Sequence, residues 1–211
     1  GFIRAQTAIA SPPLVPEIRL HLATEITPIW QATEATLAAT NLPPPYWAFA
    51  WPGGQAIARH LLDDPALAKG RTVLDFAAGS GLVAIAAAMA GAARAVANEI
   101  DAVAAEAIAL NAALNGVVVE TDLRDLLDTD AAAFDVVLAG DVCYERPMAE
   151  RATRWLRGLA GRGVEVLLAD PGRAYLPREG LVELARYQVA TSLELEDREQ
   201  RETVVYRLTA G

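Results

Sequence analysis

Residues Val73 to Gly81 read VLDFAAGSG. An apolar strand ends on a carboxylate, Asp75, then turns through small residues into an alanine-rich run. Gly79 and Gly81 let a ligand approach the backbone where a Cβ would collide. The helix that follows points N–H groups at that ligand. Two nucleotide-like cofactors use such a turn, a dinucleotide and S-adenosylmethionine. Read as GSGLVA, residues 79–84 fit G-x-G-x-x-[GA], a pattern too loose to decide between them. Glu99 lies twenty residues after Gly79, where either cofactor would want an acid for its ribose. Asp75 separates the two. A carboxylate repels a pyrophosphate, whereas a sulfonium and an ammonium welcome it. A glycine turn that binds nothing is the third reading.

Working outward, 211 residues suit one α/β domain, and 53% apolar content is ample for a core. The net charge of −9 argues against a nucleic-acid partner and suits a basic or lysine-bearing one. One cysteine, Cys143, excludes an internal disulfide and fits a reducing, cytoplasmic setting. His21 and His60 offer no metal-ligand spacing and read as solvent-facing; no metal is expected. Phe76 to Ala93 is uncharged, but it holds a glycine turn between Asp75 and Arg94, so no membrane span is expected. No signal peptide is legible, and the chain opens on Gly1 where a processed or trimmed chain would.

The single domain divides into an N-terminal arm and helix (1–44), an aromatic segment and helix (45–70) and a cofactor-binding core (71–211). Residues 1–16, with Pro12, Pro13 and Pro16, read as an irregular arm. Glu17 to Leu22 alternates like a short strand. Thr27-Pro28 starts a helix to about Ala39, broken from Asn41 to Pro45. PYWAFAWPGG, residues 45–54, clusters aromatics before a helix from Pro52 to Leu62. It either packs the arm onto the domain or forms a lid in which Trp51, Gly53 and Gly54 touch the cofactor.

From Arg71 strands and helices alternate. Strands are predicted at 71–75, 94–98, 117–121, 134–139 and 163–169, and helices at 80–91, 102–115, 146–160 and 178–186. That is a mostly parallel sheet with right-handed crossovers. Tyr187 to Glu196 and Glu202 to Leu208 read as a C-terminal antiparallel hairpin joined by Asp197 to Gln200.

VLDFAAGSG, the acid of ANEID, NAALNG (Asn111 to Gly116) and the terminal hairpin together resemble the seven-strand, Rossmann-like S-adenosylmethionine-dependent methyltransferases. PYWAFAWPGGQA (45–56), GDVCYE (140–145) and ADPGR (169–173) resemble more narrowly the lysine methyltransferases of the electron transfer flavoprotein β-subunit. The resemblance implies protein-lysine methylation, with S-adenosylmethionine as cofactor and that β-subunit as partner. In that family the D-x-x-Y after the fourth strand lies at the substrate channel; here it is Asp141 and Tyr144. The glycine-rich stretch has alanines, Ala77 among them, where some relatives have glycine.

Under that reading Asp75 and the Gly79–Gly81 backbone hold the methionine end of the cofactor, with Ala77 in the same turn. Glu99 takes both ribose hydroxyls. Ile100 packs on adenine, Asp101 caps the next helix, and Asp125, or its rival Asp122, reaches the adenine amine. Asp141 stands where a parallel strand ends on the ligand side, with helix capping as its plain reading. Tyr144 lines the lysine channel or packs at the sheet edge. Cys143 is a buried filler. Asp170 and Arg173 belong to a substrate-contact loop or to a plain turn. Three further readings stay open: a methyltransferase of a ribosomal or other protein, an NAD-dependent oxidoreductase, and a non-catalytic binding module.

Overall fold

The computed structural model describes residues 1–24, 27–31, 44–131, 133–191 and 199–210. Its first two segments hold α1 (Phe2–Gln6), β1 (Ala8–Ala10), β2 (Leu20–Leu22) and α2 (Pro28–Gln31). A 3-10 turn, Tyr46–Ala48, leads into α3 (Pro52–Asp63). The core then alternates β3 (Thr72–Phe76), α4 (Leu82–Met89), β4 (Arg94–Asn98), α5 (Ala102–Leu114) and β5 (Glu120–Asp122). It continues through β6 (Val136–Gly140), α6 (Arg146–Gly161) and β7 (Glu165–Asp170) to the hairpin β8 (Leu181–Ala190) and β9 (Gln200–Leu208).

Seven strands form one sheet in the order β5-β4-β3-β6-β7-β9-β8. Strands β3 to β7 run parallel, and β9 enters antiparallel between β7 and β8. The central strands are apolar because both sheet faces are covered. Alternation divides them. Leu138, Leu167 and Ala169 pack with Ile57, Leu61 and Ile85 of α3 and α4. Val137, Val166 and Leu168 pack on the other face with Trp155, Leu156 and Leu159 of α6. Helix α6 buries Ala149, Ala152, Trp155, Leu156 and Leu159 on one stripe, as a surface helix must. Helix α4 (LVAIAAAM) buries residues all round its first turns, which its alanines permit.

The helix predicted at 178–186 is a strand. Leu181 to Ala190 pairs with β9 along its length, with a bulge between Glu183 and Ala185. Its leucines, alanine and glutamate favour a helix, but pairing with β9 overrides that weak local preference. The hairpin's first strand therefore begins at Leu181 and not at Tyr187. The arm is not irregular either: Ile3 of α1 packs with Ile29, Trp47, Ala104 and Ala107, and β1 pairs antiparallel with β2. Residues 32–43, which hold the end of the predicted first long helix, and residues 192–198, which hold the end of the predicted Tyr187 to Glu196 strand and the start of its link, lie outside the described residues.

His21 is buried and not solvent-facing, and desolvation holds its imidazole below the usual range. Its backbone N–H donates to Asn111 Oδ1 at 2.8 Å. Asn111, fully buried on α5, also donates from Nδ2 to the Ser80 carbonyl at 2.8 Å. One turn later Asn115 exchanges two bonds with the Arg19 backbone, at 2.9 and 2.7 Å. Two asparagines at i and i+4 thus tie the N-terminal strand to the glycine turn across α5. Asn111→Ala leaves a buried N–H and a buried carbonyl without partners, at about 1–3 kcal/mol each. The urea midpoint should fall accordingly, while Asn111→Ala and a surface control such as Val118→Ala keep the same m-value; an unchanged midpoint would show the tie to be dispensable.

Candidate active site

In the sheet β3 lies between β4 and β6, so the chain winds off it in both directions. Ligands of such sheets bind at that switch point, beyond the carboxyl ends of the strands. The glycine turn caps β3 there. Ala77, Gly79 and Gly81 all take left-handed backbone, with φ of 54°, 52° and 78°. For Ala77 this conformation costs about 1 kcal/mol, an expense its sequence did not announce. A Cβ at Gly81 would meet Ile108 at 3.1 Å. Gly81 has no side chain with which to cap α4; Asp75 takes the Ala84 N–H of its first turn from below, and the start of the helix faces the turn.

Glu99 closes the turn from β4. Its Oε2 accepts the Gly79 N–H at 3.0 Å, and its Oε1 accepts the N–H groups of Ile100 and Asp101 at 2.9 and 3.3 Å. A carboxylate has about four acceptor positions, so Glu99 keeps capacity for a further donor. Ile100 beside it is 72% exposed, a large apolar side chain offered outward. Asp101 caps α5 as expected, accepting the Val103 N–H at 2.8 Å.

Asp75 is only 2% exposed, and its Oδ2 accepts the Ala84 N–H in the first turn of α4 at 3.0 Å. Burial, together with the charge of Glu99, pushes its carboxyl up to about 8 against the opposing bond from Ala84. It therefore lies beneath the turn and bears on it through α4. Asp125 accepts the Leu127 N–H and pairs with Arg151 of α6 at 3.1 Å, while Asp122 pairs with Arg124. Both line a cavity of about 520 Å³ beside β5. Buried Asn98 pins this loop, donating to the carbonyls of Asp122 and Arg124 at 2.9 Å each.

Asp141 follows β6 with a φ of 58°. Its Oδ2 accepts the Gly54 N–H at 3.0 Å, and its Oδ1 faces Arg173 Nη2 at 3.4 Å. Trp51, the residue before α3, offers no side-chain cap. Asp141 thus caps α3 from across the sheet, and the capping reading holds for a helix distant in sequence. The approach is close. A Cβ on Gly53 would stand 2.6 Å from Asp141 Oδ2 and from the Ala169 carbonyl, and one on Gly140 would stand 2.8 Å from the Gly54 nitrogen. Asp170, buried at the end of β7, closes its own turn by accepting the Arg173 N–H at 2.6 Å, and that turn aims Arg173 at Asp141.

Aromatic side chains border the same end. Trp51 donates to the Tyr46 carbonyl at 2.9 Å and sits edge-on to both Tyr46 and Phe49. Tyr46 meets Tyr144 with centroids 5.8 Å apart, and both rings are about half exposed. Burial and the neighbouring Tyr46 push the Tyr144 hydroxyl up to about 12, so it remains a donor at neutral pH. The Tyr46 carbonyl is the nearest atom a Cβ on Gly79 would meet, at 3.8 Å. The aromatic segment packs the arm through Trp47, as one reading of its sequence held, and its Tyr46 carbonyl borders the glycine turn. Cys143 is fully buried, with burial pushing its thiol up to about 12, as befits a filler.

Glu99 and the glycine turn follow β4 and β3, Asp141 and Tyr144 follow β6, and Arg173 follows β7, so these residues all succeed the carboxyl ends of parallel strands. Sequence reasoning gave no role to Asn98, Asn111 and Gly140, although ANEID, NAALNG and GDVCYE contain them. A further signal for Gly140 is a glycine at the end of an apolar strand, which marks a close backbone approach. Nothing in the spacing of the two asparagines announced their partners.

A family model described as ribosomal protein L11 methyltransferase (PrmA) matches residues 58–142. An electron transfer flavoprotein beta subunit lysine methyltransferase from Xenopus laevis is 37% identical over 93% of this chain and 81% of its own length. One from Danio rerio is 37% identical over 98% of this chain and 82% of its own. Among solved structures, magnesium protoporphyrin IX methyltransferase from Synechocystis with bound S-adenosylmethionine aligns with a TM-score of 0.54. It is 20% identical over 74% of this chain and 78% of its own, a likeness of fold.

The raised carboxyl of Asp75 has a consequence for stability. Its folded value, about 8, lies above the unfolded carboxylate value near 3.8, so the folded state retains the proton longer. The associated stability is full below about pH 4, declines as pH rises and is lost above about pH 8. Without added ligand, the melting temperature of Asp75→Asn relative to the parent protein should therefore rise from pH 5 to pH 8. A constant difference across that range would contradict the burial argument.

Proposed function

We infer the reaction from one premise: the chain belongs to the electron transfer flavoprotein β-subunit lysine methyltransferases. It is an S-adenosylmethionine-dependent protein-lysine methyltransferase, and we propose the electron transfer flavoprotein β-subunit as its substrate, with more than one methyl added. The observation that carries the reading is the Asp141 carboxylate, held by the Gly54 N–H and Arg173 at the end of β6 beside the glycine turn. The residues fit the cofactor. Gly79 and Gly81 take left-handed backbone in the turn, a Cβ on Gly81 would crowd Ile108, the start of α4 faces the turn, and Glu99 retains acceptor capacity.

In this proposal Gly79, Gly81 and Ala77 hold the methionine end, with Asp75 beneath them. Glu99 takes the ribose, Ile100 covers adenine, and Asp125 or the neighbouring loop meets its amine. Trp51, Gly53 and Gly54 close over the cofactor from the α3 side. The bound cofactor supplies an electrophilic methyl group. A free lysine has a pKa of about 10.4, and only its neutral form has a lone pair to attack with. Asp141 draws in the ammonium, which takes the place of Arg173 beside it, and keeps the amine aimed after the proton leaves to water. Because a carboxylate favours the charged amine, Asp141 binds and orients and is not the base. Tyr144, a neutral donor, lines the channel with Tyr46. Asp170 positions Arg173.

The match to the ribosomal protein L11 family covers the cofactor half of the chain, so it supports the chemistry and leaves the target to the segments beyond residue 142. A net charge of −9 favours a lysine-bearing protein over nucleic acid. The single buried thiol supports a cytoplasmic setting, and among the described residues no helix is long and apolar enough to cross a membrane.

S-adenosylmethionine should raise the melting temperature and NAD should not; the reverse order would overturn the reading. Glu99→Ala should weaken cofactor binding in calorimetry by about 1.5–3 kcal/mol for each charge-assisted bond lost. Asp141→Asn keeps an acceptor for Gly54 but removes the charge. Methyl transfer, followed by mass spectrometry of the β-subunit, should drop by about 10²-fold or more, with cofactor affinity within a few-fold of the parent. Near-normal transfer would remove Asp141 from the mechanism.

A further inference from the structure

Between residues 146 and 178 the chain has seven arginines and three acids, Glu150, Glu165 and Asp170, a local excess of four positive charges in a protein of net charge −9. Four of these arginines are engaged. Arg151 and Arg162 turn to Asp125, Asp128 and Asp130, and Arg173 turns to Asp141. Arg157 donates to the Glu179 carbonyl at 2.6 Å, and its Nε is buried with no acceptor among the described residues. Arg146, Arg154 and Arg178 are exposed and form no ion pair among the described residues. Arg146 lies over the ring of Tyr175, 5.6 Å from its centroid.

Arg154 and Arg157 face a groove of about 660 Å³ between α6 and the loop after β7, Arg146 lies over the Tyr175 ring on its wall, and Arg178 follows Pro177 at its edge. Glu150, Thr153, Arg154, Arg157, Tyr175 and Pro177 line it. The groove adjoins the active site through the chain itself. The loop that brings Arg173 to Asp141 supplies Tyr175 two residues later, and α6 begins two residues after Tyr144.

We propose that this groove docks an acidic segment of the protein whose lysine is methylated. The inference rests on the protein-lysine reading above. A positive rim beside a lysine channel repels a lysine-bearing chain unless that chain brings carboxylates with it. Arginine forks bind carboxylates through paired N–H groups, and Tyr175 adds a ring for the segment to lie on. The rim thereby favours lysines flanked by acids and disfavours lysines in basic stretches. The acidic body repels polyphosphate chains, and a recess between a helix and a loop fits a peptide segment better than a flat anionic surface.

The test uses the full chain and the double variant Arg154→Glu with Arg178→Glu, its folding checked by its melting curve. Two measurements run in parallel. Fluorescence anisotropy follows a labelled oligoglutamate, and steady-state kinetics follow methyl transfer to the β-subunit. The variant should bind oligoglutamate at least about 10-fold more weakly. Its KM for the protein substrate should rise by about 10-fold with kcat within about twofold, and the KM of the parent should rise with salt while that of the variant does not. Arg154→Lys with Arg178→Lys should restore most of the loss. Methyl transfer with a KM indifferent to both substitution and salt overturns the docking groove and leaves the substrate reading intact. Arginine-dependent oligoglutamate binding without transfer to the β-subunit retains the groove and overturns that choice of substrate. Binding of phosphatidylserine vesicles, and not of oligoglutamate, lost in the variant would also overturn the proposal, in favour of a membrane surface.

Discussion

The site depends on a place where two backbones touch. At Gly53 and Gly140 the start of α3 meets the end of β6 so closely that a single Cβ on either would stand under 3 Å from the other segment. That contact lets the Gly54 N–H reach Asp141. It also brings the segment before α3 up to the sheet, where the Tyr46 carbonyl borders the turn. A larger residue at either glycine would separate the two halves of the candidate site at once, with no flexible side chain to absorb the change.

Around that contact, bonds from buried or half-buried polar groups link elements that apolar packing alone would leave adjustable. Glu99 joins β4 to the glycine turn, Asn98 joins β4 to the loop after β5, and Asn111 joins α5 to both the turn and β2. Apolar burial is indifferent to small shifts, whereas these bonds fail within a few tenths of an ångström. Asp75 belongs to the same set, but at the expense of a proton it retains near neutral pH. A positive ligand above the turn would lower its pKa, so ligand binding and proton release are coupled there.

Much of this was legible in the sequence because it is local. A strand ending on an acid, small residues and then alanines dictate strand, turn and helix without reference to the rest of the chain. The strand from Arg94 to Asn98 and the start of the helix at Ala102 follow from periodicity and from the Asp101 cap. What was not legible depends on partners distant in sequence. LVELARYQVA becomes a strand only because β9 is there to pair with it. His21 reads as a surface residue until Asn111 covers its backbone. Asp125 carries an acid where a cofactor would want one, yet Arg151 of α6 has drawn that acid to itself. The position of Asp141 was legible as the end of a buried strand; the helix it caps was not.

The bulge between Glu183 and Ala185 bears on how the molecule meets its own copies. Among the described residues β8 is the last strand of the sheet, with no strand paired beyond it. An outer strand of ten residues is a template onto which another extended chain can add. The bulge breaks the repeat of donors and acceptors and sharpens the local twist, so an incoming strand finds matching bonds over only part of that length. At the opposite border β5 is three residues long, too short to template anything. Both outer strands are thus shaped so that an added strand could pair with them over only a short length.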